Sequence, residues 1–406
     1  MLPKYPEVKG KKIILGVTGG IAIYKVCSFI REIRRSQGEV KVVMTRNATR
    51  FITPLTFMTL TGNPVYEETF PDHYLPQPFH IRLGEWGEVL FVAPATANII
   101  GKAASGIGDD LLSTLLLSFP GKIIFAPSMD EEMWRNPVVQ ENVKKLQDMG
   151  REVIPPEKGE LASGKTGEGR LPSLENLMYF LRRAFLPQDM QGVNVLVTAG
   201  PTREYIDRIR FISNPSSGKM GFLLAEEASL RGGKVRLITG RVAIDTPPGV
   251  ERIEVETAED MKKEVEGNFP WCDVLIMNAA VGDFQVKERR EGKIRREEGL
   301  TLHLEPTPDI LKEVSLSRDK QVVVGFSLEL DGVEERGWKK LKEKKVDILV
   351  GCLQKEGRSG FGEDSLEGLI LFSDGKKEPY SLTKRETARK VMDRVIEIIK
   401  ERRKKR

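Results

Sequence analysis

Short apolar runs rich in β-branched residues recur along the chain and alternate with longer stretches of helical period. Lys12–Val17 and residues 40–45, 89–93 and 122–126 read as buried strands, with an amphipathic helix over 21–35 between the first two. A second series opens at 193–197 and continues through Lys234–Thr239, Val274–Met277 and 369–372, with a helix over 221–231. Strands that alternate with helices pair in parallel, so each series predicts a doubly wound α/β sheet of Rossmann-like type. Ser173, just after Pro172, is a natural cap for a helix over Leu174–Phe185, and the polar run 186–192 separates the two series. The expected domains are 1–189 and 190–406. At 406 residues the chain is too long for one ordinary core, which agrees.

Composition narrows the class. Charged residues make up 30% and hydrophobic ones 40%, a globular balance. No apolar run is long enough to span a bilayer, and MLPKYPEVKGKK lacks a signal peptide's apolar region, so a cytoplasmic protein with no membrane role is expected. The net charge of +5 suits anionic small substrates. The basic end KERRKKR reads as the solvated, dipole-complementing end of a last helix, not as a nucleic-acid site. That helix starts at Thr383 with a capping box to Glu386. Cys27, Cys272 and Cys352 lie far apart and only three histidines accompany them, which argues against structural zinc and leaves metal ligands undetermined.

The candidate chemistry sits in loops at strand ends. Residues 202–221, TREYIDRIRFISNPSSGKMG, join a strand to a helix, where open sheets bind ligands. Ser216, Ser217, Gly218 and Lys219 offer hydroxyls, a permissive backbone and an ammonium at a helix N-terminus, and Arg208 and Arg210 add forked donors for phosphate or carboxylate. Asn214 precedes a proline, so extended backbone would hold its amide toward a ligand. The competing reading is a solvated basic loop with a Ser/Gly helix cap. Small residues at 278–282 would let a flat base lie on backbone, with Asp283 accepting from an exocyclic amine. In the first series, GVTGGIA at 16–22 is not GxGxxG and the second strand ends in Met44 and Thr45 without a ribose acid, which favours a mononucleotide phosphate. Residues 159–166, GELASGKT, satisfy the P-loop pattern, yet Pro155 and Pro156 precede them and Gly167, Gly169 and Pro172 follow. A false match is expected.

AGPTRE (199–204), ISNPSSGKMG (212–221) and NAAVGDF (278–284) resemble phosphopantothenate-cysteine ligase, the nucleotide-using half of the bifunctional coenzyme A biosynthesis family. The first half resembles its partner, the FMN-dependent phosphopantothenoylcysteine decarboxylase. The resemblance implies FMN at Gly19, Gly20 and Thr45 and at Ala95, Thr96 and Asn98 of APATANIIG, with His80 of FHIRLGEW as the base. For the ligase it implies CTP, with Mg2+, at Ser216, Ser217, Gly218, Lys219, Ala279, Ala280, Asp283, Phe326, Lys340 and Lys344. Lys293, Asn214 and Arg210 would be catalytic. Substrates would be 4′-phosphopantothenate, L-cysteine and CTP, and the assembly a homo-oligomer, dodecameric by resemblance. Residues 360–364 would form a mobile loop over the site.

Three positions depart from the family pattern. Asp130 in PSMDEEMW stands where asparagine is usual, Ser163 in LASGKT replaces the proton-donating thiol, and Cys352 stands at a usual asparagine. A hydroxyl is a much weaker acid than a thiol. Two alternatives therefore accompany the bifunctional reading: an active ligase whose flavin-binding half has weakened chemistry, and a non-catalytic nucleotide-binding regulator.

Overall fold

The computed structural model describes residues 4–70, 77–162, 164–294, 300–354 and 364–404. The chain forms two compact units, Met1–Pro187 and Gln188–Arg406.

In the first unit, β1 (Lys12–Val17), β2 (Glu39–Met44), β3 (Val65–Tyr66), β4 (Val89–Ala95), β5 (Lys122–Pro127) and β6 (Glu152–Val153) form one parallel sheet, ordered β3-β2-β1-β4-β5-β6. The helix Ile23–Arg35 buries Val26, Phe29, Ile30 and Ile33 at helical spacing, and the Phe29 ring meets Phe91 of β4 with centroids 5.0 Å apart. Each such buried side chain contributes about 1.5–3 kcal/mol. Strand order reverses between β1 and β4, so a crevice opens at their carboxyl ends. Ser173 caps the helix Leu174–Phe185, its side chain accepting from the Asn176 amide at 3.3 Å. Strands β7 (Glu157–Glu160) and β8 (Thr166–Arg170) make an antiparallel hairpin. The P-loop pattern is thus a false match, because Thr166 opens a strand where a phosphate loop requires a helix.

The second unit has β9 (Asn194–Ala199), β12 (Lys234–Thr239), β13 (Val250–Glu254), β14 (Val274–Met277), β17 (Val322–Glu329), β18 (Ile348–Leu353), β19 (Ser365–Phe372) and β20 (Lys377–Thr383). Their order is β13-β12-β9-β14-β17-β18-β19-β20. It is parallel up to β18 and antiparallel beyond; the expected strand at 369–372 lies in β19, but its direction and β20 were not predicted. Two small hairpins stand apart from it, β10 (Arg203–Tyr205) with β11 (Phe211–Ser213) and β15 (Phe284–Val286) with β16 (Leu304–Pro306). The last helix, Lys384–Lys404, has the expected capping box: the Thr383 amide donates to Glu386 at 2.9 Å and the Glu386 amide to Thr383 Oγ1 at 3.2 Å. Its basic end is not simply solvated. Arg402 donates to the carbonyls of Lys320 and Gln321 and to Asp347 Oδ1 at 2.6 Å, tying the helix to the β17 and β18 ends of the sheet.

Candidate functional sites

In the first unit, Gly19 and Gly20 follow β1, Thr45 follows β2, and Ala95 and Thr96 close β4. The parallel register puts all five at the carboxyl ends of neighbouring strands. Thr18 Oγ1 donates to the Pro94 carbonyl at 2.6 Å and accepts from the Thr96 amide at 3.2 Å, stapling the two strand ends where the order reverses. A Cβ on Gly19 would lie 2.6 Å from Asn47 Cβ, so the turn closes against the loop after Thr45 only without a side chain. Asn98 lies in the first turn of the helix Ala97–Ser105 and is exposed. Threonine hydroxyls and helix starts at this crevice suit a phosphorylated flavin. His80 lies in the first turn of the helix Phe79–Trp86, and its Nδ1 is buried with no hydrogen-bond partner among the described residues. An orphaned ring nitrogen fits a base awaiting a ligand proton.

The β7–β8 hairpin lies directly on residues 129–131. The Met129 amide donates to the Gly169 carbonyl at 2.9 Å, the Glu168 amide to Glu131 Oε1 at 3.3 Å, and a Cβ on Gly169 would meet the Met129 carbonyl at 2.2 Å. Asp130 caps the short helix Glu131–Arg135 by accepting from the Glu132 amide at 3.1 Å, a task asparagine would perform equally. Ser163 lies outside the described residues.

In the second unit, a cavity of about 540 Å³ opens at the carboxyl ends of β14 and β17. It gathers Asn214, Ser216, Ser217, Gly218 and Lys219 from one loop and Ala279, Ala280 and Asp283 from the next. Phe326, Lys340 and Lys344 also line it, and Cys352 stands at its wall. Gly218, at φ +77°, caps the helix Lys219–Leu230, which starts two residues earlier than expected. Ser216 and Ser217 themselves accept from the Gly218 and Lys219 amides at 3.3 and 3.4 Å, so capping and cavity lining are done by the same residues. Each predicted lysine in the wall is held by a carboxylate: Lys219 by Asp364, Lys340 by Glu329 at 2.6 Å, and Lys344 by Asp309 at 3.1 Å. Lys219 accordingly draws the Asp364 carboxyl below its ordinary range. Burial pushes the Cys352 thiol up, and its sulfur lies 3.1 Å from the Tyr380 hydroxyl. Of residues 360–364, only Asp364 is among those described.

Asn214 Nδ2 donates to the carbonyls of Ala280 and Val281 at 3.3 and 3.2 Å, bridging the two cavity loops. Arg210 and Lys293 are not in the cavity wall. Arg210 Nη1 instead donates to Asp207 Oδ2 at 2.9 Å and to the Ile294 carbonyl at 3.0 Å, and Lys293 is exposed beside that anchor. Residues that sequence reasoning missed are the segment 307–311 and Lys384, all in the wall. A usable signal for the segment was Pro308 and Asp309 before a helical run; Asp309 caps the helix Ile310–Leu316.

The fold and sites define a two-domain α/β protein, each domain carrying a crevice at the carboxyl ends of its parallel strands. Residues 2–186 match the flavoprotein family and residues 190–399 the DNA/pantothenate metabolism flavoprotein C-terminal domain. The chain is 40% identical over 375 residues to the coenzyme A biosynthesis bifunctional protein CoaBC of Bacillus subtilis (strain 168), across 91% of this chain and 92% of that one. Identity to CoaBC of Escherichia coli (strain K12) is 36% over 377 residues, across 91% and 93%. Among solved structures, a CoaBC C-terminal domain is 35% identical, covering 53% of this chain and 99% of its own, with a TM-score of 0.46. A PPC decarboxylase mutant complexed with pantothenoylaminoethenethiol is 27% identical, covering 43% and 97%, with a TM-score of 0.39. The chain belongs to the CoaBC family of bifunctional coenzyme A biosynthesis proteins. Among the described residues no helix is long and apolar enough to cross a membrane.

Proposed function

We propose that the second unit joins 4′-phosphopantothenate to L-cysteine at the expense of CTP, and that the first unit decarboxylates the product to 4′-phosphopantetheine. The observation that carries the ligase reading is the single cavity that collects Asn214, the 216–219 helix start, Asp283, Phe326 and the two lysines of the helix Val333–Glu343 and its end. A carboxylate oxygen of the pantothenate attacks the α-phosphorus of CTP, and pyrophosphate leaves. The cysteine amine then attacks the acyl carbon of the cytidylate, cytidine monophosphate leaves, and the amine gives up a proton. Lys219, Lys340 and Lys344 offset charge on the departing pyrophosphate, and Asp283 selects the base. Among the described residues no cluster of three or more His, Cys, Asp or Glu is arranged for a metal. Mg2+ would enter with the triphosphate, as such ions commonly do. Lys293 serves the first step, and Asn214 holds the activated acyl group for the second.

In the first unit, FMN, when bound, would take two electrons from the cysteinyl moiety so that it can lose carbon dioxide and would return them to the decarboxylated product, leaving the net reaction redox-neutral. Gly19, Gly20, Thr45, Ala95, Thr96 and Asn98 would hold it, and His80 would take the substrate proton. The β7–β8 hairpin over 129–131 would keep water out. The protein acts in the cytoplasm as a homo-oligomer, expected to be a dodecamer by family resemblance. Leu55 and Met58, one turn apart on an exposed helix face beside exposed Phe51, support assembly through apolar surface.

Quenched reactions with labelled CTP and mass analysis of products test this. Lys293→Gln should lose the acyl-cytidylate, and Asn214→Asp should accumulate it. Removing one preorganised donor typically costs on the order of a hundredfold in rate. Unimpaired amide formation by Asn214→Asp, or accumulation with Lys293→Gln, would show the roles to be misassigned.

A further inference from the structure

The loop between β10 and β11 is built on one buried acid. Asp207 Oδ1 accepts from the amides of Ile209 and Arg210, both at 2.7 Å, which closes the turn. An Asp at a turn needs only that one oxygen. Its second oxygen reaches far along the chain: Oδ2 accepts from Arg210 Nη1 at 2.9 Å and from the Ile294 amide at 3.3 Å. Arg210 returns to the Ile294 carbonyl, so the peptide groups on both sides of Ile294 are pinned. Two further contacts run the same way. The Arg290 amide donates to the Ile206 carbonyl at 3.1 Å, and the Arg289 guanidinium lies 5.0 Å over the Tyr205 ring. The other end of this hairpin leads directly from Ser213 into Asn214, whose amide bridges the cavity loops.

We propose that Asp207 is a positioning residue for the ligase reaction, its carboxylate binding the hairpin that delivers Asn214 to the segment that delivers Lys293. One side chain then sets the placement of both groups, and Arg210 acts through the same anchor and not on a phosphate. This rests on the roles given above to Lys293 and Asn214.

Asp207→Asn isolates the idea. The amide keeps the turn's acceptor but turns a donor toward the Ile294 amide and Arg210, which are themselves donors, so the turn survives and the 289–294 segment is released. Because misplacement by an ångström can cost about a hundredfold, cytidylate formation should fall about 10- to 100-fold while CTP binding changes less than about threefold. In a Lys293→Gln background the same substitution should add little to the loss, because there is no longer a lysine to position. A nitroxide on Lys293→Cys, in a Cys27→Ser background, reports the same anchor without catalysis. Its spectrum should be broad with Asp207 and sharpen with Asp207→Asn. Should Asp207→Asn not fold, Arg210→Lys, which keeps the charge but ends short of the position Nη1 holds between Asp207 and the Ile294 carbonyl, must give a milder version of both effects. Additive rate losses or an unchanged nitroxide spectrum would overturn the proposal. A Lys293→Gln enzyme that still makes cytidylate would instead overturn the reading beneath it.

Discussion

Gly240→Ala adds one methyl group where the backbone leaves no room. Gly240 follows β12, and a Cβ there would lie 1.8 Å from the Pro201 carbonyl oxygen, against the 3.4 Å at which ordinary contact begins. The obstacle is main chain, so no rotamer change relieves it. Pro201 is itself held in place: it bridges to Ala280, and the Ala280 amide donates to the Gly200 carbonyl at 2.9 Å. Overpacking of a well-packed site costs about 1–3 kcal/mol, and the upper value applies when backbone must move. For a unit of this size about 3 kcal/mol lowers Tm by roughly 6–12 °C. Moving Pro201 also drags Ala280, which lines the cavity, so the KM for CTP should rise along with the loss of stability. Calorimetry and steady-state kinetics would measure both. The control is the same substitution at Gly267, which lies in the helix Ala258–Asn268 with nothing within 4 Å of its Cβ. There alanine should stabilise by about 0.5–1 kcal/mol through helix propensity. If Gly240→Ala melted within about 2 °C of the parent with unchanged CTP kinetics, the claimed close approach would be wrong.

Hydrogen bonds from the Arg210, Ile209 and Ile294 amides and the charge of Arg210 hold the Asp207 carboxyl down to about 2. A depressed carboxyl stabilises the fold above its unfolded pKa and loses that contribution as pH falls, so the gap in urea midpoint between parent and Asp207→Asn should be full above about pH 4. It should close as pH drops toward 2; a gap that widened on acidification would contradict the assignment. Asp130→Asn should impair decarboxylation if Asp130 and Ser163 work as a matched pair, and equal turnover at saturating substrate would argue against that pairing. Burial pushes the Cys272 thiol up to about 12, so iodoacetamide at pH 8 should label half-buried Cys27 in the folded protein and leave Cys272 unmodified, as peptide mapping would reveal.

What the sequence disclosed was local. β-Branched runs and helical periods located β1, β9, β12 and β14, because burial on both faces leaves a continuous apolar run. The 216–219 loop was readable as a helix start because a Ser-Ser-Gly-Lys stretch before a helix is self-contained chemistry. The capping box at Thr383 was readable for the same reason. The rest depended on partners distant in the chain. Asp309 caps a helix that the sequence reading passed over, and only the fold reveals that it also holds Lys344. Arg210 looks like an anion donor from its neighbours, but its partner Ile294 is 84 positions away. The antiparallel end of the second sheet escaped because β19 and β20 read SLEGLILF and KEPYSLT, whose half-polar patterns do not state which way a neighbour runs.

The three lysine–carboxylate pairs of the second cavity also act as a threshold. A lysine engaged at short range by Glu329 or Asp309 presents less surplus charge to a passing anion. A ligand gains only the excess of its own attraction over the carboxylate it must push aside or share. Small monoanions cannot supply that excess at three lysines together. A triphosphate, with several charges on one short chain, would compete at all three at once. A cavity built this way would favour polyanions over singly charged ligands.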